Sequence, residues 1–181
     1  MRHPILGAMA KEAVQRGFVA VRFNFRGVGE STGVHDNGIG EVSDIAWVAD
    51  FIDRELPPLA GITGWSFGAA TALVWQARAA STVPYVGIAP PIRSPLSPAL
   101  PVARDLPPAR RNFIVGERDQ FVNVDALAVY AGTIGAQIEI YKGSDHFFVF
   151  KHDRLADDVM AWIDPRQDVP TYDQDTRSDG R

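Results

Sequence analysis

There is no cysteine in this chain. That absence excludes a disulfide framework and any thiolate metal site, and it leaves the redox compartment unread. Long apolar runs are missing as well, and the longest falls far short of a bilayer span. The opening stretch MRHPILGAMAKEAVQRG has an early arginine but neither a continuous apolar core nor a small-residue cleavage site. It does not read as a signal peptide, so a cytoplasmic location and no membrane partner are the default expectation. Lysine and arginine cluster on no expected face, and the formal charge is -4, which argues against nucleic acid as a main partner. Neither a His-Glu-x-x-His pair nor a histidine-carboxylate cluster with ligand spacing occurs, so no metal and no cofactor is expected.

What is present fits one globular domain of 181 residues, with 46% hydrophobic and 22% charged side chains. Short segments rich in β-branched and aromatic residues, 18–25, 59–65, 83–89, 110–116 and 136–141, read as strands. Between them lie helical patterns. In the clearest, 41–56, Val42, Ile45, Ala49, Ile52 and Leu56 step by three and four residues onto one face. The segments 4–16, 67–80, 123–134 and 147–163 are apolar enough on one side to pack on a sheet. Alternating strands and helices imply an α/β fold, a mostly parallel sheet covered on both faces.

Seven of the 13 prolines fall in 90–108, which excludes a regular helix or central strand there and leaves a connecting loop or a minimal lid. The expected domain is 1–164. Residues 165–181 are polar and read as a disordered tail.

Gly64-Trp65-Ser66-Phe67-Gly68 matches G-x-S-x-G, the nucleophile elbow, where a strand ends and a helix begins. The tight turn forces Ser66 into a strained conformation, and side chains in place of Gly64 and Gly68 are expected to collide with neighbouring elements. At the start of helix 67–80 the N–H of Phe67 can donate to a developing oxyanion. A serine hydroxyl needs a base to take its proton, and the base needs a carboxylate to hold its tautomer. Asp119 follows strand 110–116, and His146 follows the last strand on a loop begun by Gly143. Asp145 and Asp125 are rival acids; Asp145 would have to fold back on its neighbour, and Asp125 falls in a helix's first turn, so Asp119 leads. Of the other histidines, His152 falls within a helical pattern and His35 on a loop without a defined partner. The glycines of GVGESTG miss nucleotide-binding spacing.

RFNFRGVGESTG (22–33), GWSFGAA, GERDQFV and GSDHFF together resemble the α/β-hydrolase superfamily, and within it a small bacterial group of serine esterase- and peptidase-like hydrolases. The resemblance implies an α/β-hydrolase fold with Ser66 as nucleophile, His146 as general base and then acid, and Asp119 orienting it. It also implies that strand 18–25 and the loop after it border the pocket, with Arg26 and Gly27 shaping that loop. In the resembling family a His-Pro and Gly-rich segment precedes the helix that RHPILGAMAKEAVQRG looks like. The fold is therefore expected to lack its N-terminal strand or strands and the second oxyanion donor, a loss worth about 3 kcal/mol, and in-frame sequence upstream of Met1 is expected to supply both. The expected function is hydrolysis of an ester, thioester or small amide, a small-molecule acyl substrate, through an acyl-enzyme. The alternative is a non-catalytic binding protein of the same fold. An open sheet edge leaves room for a homodimer.

Overall fold

The computed structural model describes residues 3–164 and 166. Four strands, β1 (Ile62–Trp65), β2 (Tyr85–Ile88), β3 (Arg111–Gly116) and β4 (Gln137–Tyr141), form one sheet in sequence order with every pairing parallel. Five helices accompany it: α1 (Pro4–Gln15), α2 (Ile39–Glu55), α3 (Phe67–Arg78), α4 (Val124–Thr133) and α5 (His152–Ile163). α1 packs on α5 and α2 on α3, so both faces of the sheet are covered. Coverage on both faces explains why all six residues of β3 are buried, the apolar Phe113, Ile114 and Val115 in succession among them. α3 buries every residue from Ala69 to Gln76, and the buried Tyr85 hydroxyl donates to the Ala69 carbonyl at 2.8 Å. That bond ties the first turn of α3 to the sheet. Burial pushes the Tyr85 hydroxyl well above its ordinary pKa, so it stays a donor.

Segment 18–25, expected to be a strand, belongs to no ladder. Phe18, Phe23 and Phe25 pack against the core while Val19 and Val21 are exposed. The composition is that of a strand, but a strand needs a hydrogen-bonded neighbour, and the sheet ends at β1. The amides of Ile62 and Ser66 bond to the carbonyls of Pro84, just before β2, and of Ile88, at its end, so by the alternation of the pleat those of Thr63 and Trp65 point to the open side.

The last helix begins at His152 instead of 147, because Phe148 and Phe150 have φ of 50° and 64°, which a right-handed helix cannot hold. α2 starts earlier than its apolar pattern, at Ile39, behind Gly38 at φ 95°. The proline-rich 90–108 connects β2 to β3 with a single short 3-10 turn, Ala103–Asp105. Its Pro98 ring occupies the place a side chain on Gly38 would need, 2.3 Å from a Cβ there, so it packs on the loop before α2. The expected tail lies outside the described residues, Arg166 excepted. Among the described residues no helix is long and apolar enough to cross a membrane.

Candidate active site

Ser66 stands between β1 and α3 with φ 52° and ψ -121°, a conformation costly for any residue with a side chain. Its amide bonds to the Ile88 carbonyl at 2.7 Å, and its own carbonyl receives the amides of Ala69 and Ala70. Held at both ends, the strained residue cannot relax. Gly64 is required sterically, since a Cβ there would stand 2.6 Å from backbone atoms of Gly68 and Ala69. Gly68 is different: a Cβ would meet only Phe25, at an ordinary 3.9 Å, so the expected collision at that flank does not occur. As first residue of α3, Phe67 has no carbonyl four residues back for its N–H.

Past the ends of β3 and β4, Asp119 and His146 meet: His146 Nδ1 lies 2.8 Å from Asp119 Oδ2, with the imidazole 4% and the carboxylate 0% exposed. Asp119 also accepts the amides of Phe121 (2.8 Å) and Val122 (2.9 Å) on its other oxygen, which fixes the carboxylate before any substrate arrives. Neither rival acid reaches the imidazole: Asp145 accepts the Phe147 amide, and Asp125 sits in the first turn of α4. Trp65 joins the two halves of the site, donating its indole N–H to the His146 carbonyl at 3.0 Å. Among the described residues no hydrogen bond links Ser66 Oγ to His146 Nε2, and no group of three His, Cys, Asp or Glu could hold a metal.

No protein-family model matches the chain. An uncharacterized protein of Rickettsia prowazekii (strain Madrid E) is 30% identical over 172 residues, which span 90% of this chain and 72% of that protein. Among solved structures, a Xanthomonas campestris member of the α/β serine hydrolases without lid matches with a TM-score of 0.77 and 29% identity, over 91% of this chain and 76% of that one. An α/β serine hydrolase homologue from Coxiella burnetii gives 0.71 and 27%, over 87% and 74%. The chain belongs to the α/β-hydrolase superfamily.

Several features of this α/β-hydrolase have no local signal in the sequence. Gly116 closes β3 against the next loop: a Cβ there would lie 2.5 Å from the carbonyl oxygens of Ser144 and Asp145. The absence of a side chain lets the His146 loop approach the Asp119 loop. Arg26 clamps Asp44 of α2 through its Nε and Nη2, at 3.1 and 2.7 Å. That hydrogen bond holds the Asp44 carboxyl below the usual range and the guanidinium above its own. Gly27 adopts φ 70°, and a Cβ there would crowd the backbone of residues 33–35. These two residues therefore fix the loop rather than reach into the site. Glu41, fully buried, accepts the amides of Asp36 (2.8 Å) and Gly38 (2.9 Å) and pairs with His35 Nδ1 at 2.8 Å. Burial pushes its carboxyl up, but backbone N–H groups and His35 outweigh that, and its pKa falls below the usual range. The His35 ring then meets Phe67 at 5.0 Å. His3 packs on Trp65 at 4.3 Å; burial, and then His152, hold it below the ordinary imidazole range.

Proposed function

We propose that the chain is a serine hydrolase that cleaves an ester, thioester or small amide through an acyl-enzyme on Ser66. The observation that carries this reading is the buried His146-Asp119 pair at 2.8 Å, set at the strand ends where a strained Ser66 is also held. In the first half-reaction His146 Nε2 takes the Ser66 hydroxyl proton as Oγ attacks the acyl carbon. Asp119 keeps Nδ1 protonated and stabilises the imidazolium. The Phe67 N–H donates to the oxyanion. When the intermediate collapses, the bond to the leaving group breaks and Nε2 returns the proton to it. In the second half-reaction water gives a proton to Nε2 and attacks the acyl carbon; the acid departs and Ser66 recovers its proton.

One observation favours a second reading, a non-catalytic binding protein: Ser66 and His146 share no hydrogen bond in the free protein. Such bonds often tighten only with substrate in place. Pre-steady-state hydrolysis of a p-nitrophenyl ester separates the two. The enzyme reading expects a burst of nitrophenol equal to the protein concentration, which marks acyl-enzyme accumulation; release no faster in wild type than in Ser66→Ala contradicts it.

A further inference from the structure

The imidazole of His146 is enclosed by aromatic rings. Trp65 lies 4.9 Å away, Phe121 meets it edge-on at 4.9 Å, and Phe147 at 5.5 Å, while Phe121 and Phe147 also touch each other edge-on at 6.3 Å. Asp119 is the ionisable group the imidazole bonds to, and it is fully occupied by His146 and two amides. The outer rings are not core residues, for Phe121 is 65% and Phe147 43% exposed. Their positions are nevertheless fixed. The Phe121 amide is one of the two that hold Asp119, the Phe147 amide bonds Asp145 at 3.0 Å, and the Phe147 carbonyl contacts His152 Nε2 at 2.9 Å. Left uncovered, two such rings forfeit the burial that aromatic side chains ordinarily gain.

Position relative to the reaction decides what covers them. A base that receives the serine proton and then delivers it must lie against the leaving atom, so whatever surrounds His146 surrounds the departing group and not the acyl chain. The imidazole is only 4% exposed, and Phe121 and Phe147, both partly open to solvent, border it, so a leaving group drawn to His146 meets these rings. We infer that the site selects esters of a bulky apolar alcohol, such as a benzyl or similar ring-bearing alcohol, whose ring packs against Phe121 and Phe147. This rests on Ser66 and His146 acting as proposed above. Charged or strongly hydrated leaving groups lose by the same geometry, because desolvation at an aromatic wall returns nothing to them.

Two series of esters test it. In the first the acyl group is acetyl and the alcohol is methanol or benzyl alcohol, which are of nearly equal acidity; in the second the alcohol is methanol and the acyl group is acetyl or hexanoyl. The wild type is expected to show a kcat/KM for benzyl acetate at least about tenfold above that for methyl acetate. Phe121→Ala and Phe147→Ala should each lower that ratio by about fivefold, as loss of one ring contact implies, and leave the hexanoyl-to-acetyl ratio unmoved. Phe121→Leu should retain part of the preference. Phe150→Ala, fully exposed and without ring contact to His146, should change neither ratio. A benzyl preference that survives both alanine variants overturns the inference while leaving hydrolysis intact, as does an equal fall in the acyl ratio. Absence of any ester hydrolysis together with an unmodified Ser66 would overturn the hydrolase reading itself, and this inference with it.

Discussion

At the scale of single residues the proposed mechanism divides its labour among Ser66, His146 and Asp119. Because triad members act as a unit, Ser66→Ala and His146→Ala should each reduce kcat by on the order of a millionfold, whereas Asp119→Asn should leave more, a loss on the order of ten thousandfold. Asp145→Asn should cost little, since Asp145 holds the Phe147 amide and not the imidazole. Steady-state hydrolysis of one ester by the four variants checks this, and an Asp145 effect larger than that of Asp119 contradicts the acid assignment. Gly116 gives a second prediction. Its Cα faces two carbonyl oxygens at a distance no Cβ tolerates, so Gly116→Ala should push the His146 loop outward. Displacement of about an ångström lowers turnover on the order of a hundredfold, and circular dichroism should show the fold kept.

At the scale of elements, the loop between residue 26 and α2 is held by two carboxylates. Glu41→Ala strands the buried Gly38 N–H and frees the part-buried Asp36 N–H, and should cost about 2 kcal/mol, measured by urea unfolding. Asp44, whose folded pKa is depressed by Arg26, contributes stability that is present above the unfolded carboxylate pKa and lost as pH falls through the lower folded value. Asp44→Asn should therefore be less stable than wild type at neutral pH, with the difference closing in acid. A gap that persists in acid would show that the ion pair is not its source. These clamps also mark how far the sequence could be read. Four strands and the strand-turn-helix around Ser66 were legible because each is a local pattern of a few residues. The failure of 18–25 to pair was not, because its composition satisfies a strand and only the neighbour is wanting. The short last helix escaped for a different reason: Phe148 and Phe150 take left-handed φ inside an apolar pattern that reads as helical, and of the two only Phe148 is buried in the core. Gly116 and the ring collar are proximities between segments far apart in the chain, which no periodicity records.

At the scale of the whole molecule, apolar side chains are left exposed and the sheet ends at β1 with an open edge. Trp47 is 71% exposed and Val19 60%, with Phe51 and Val21 also uncovered, and the Thr63 and Trp65 amides point to the open side of β1. Such an edge templates pairing with another chain. Sedimentation velocity should accordingly show concentration-dependent association that Trp47→Lys and Val21→Lys both weaken; a chain that stays monomeric at all concentrations contradicts this. The central claim, that this α/β-hydrolase carries an activated serine at position 66, is tested most directly by intact-mass measurement after incubation with a fluorophosphonate. The expected result is a single adduct on the wild type, mapped to the peptide containing Ser66, and none on Ser66→Ala. An unmodified wild type, or an adduct that persists in the alanine variant, would contradict it.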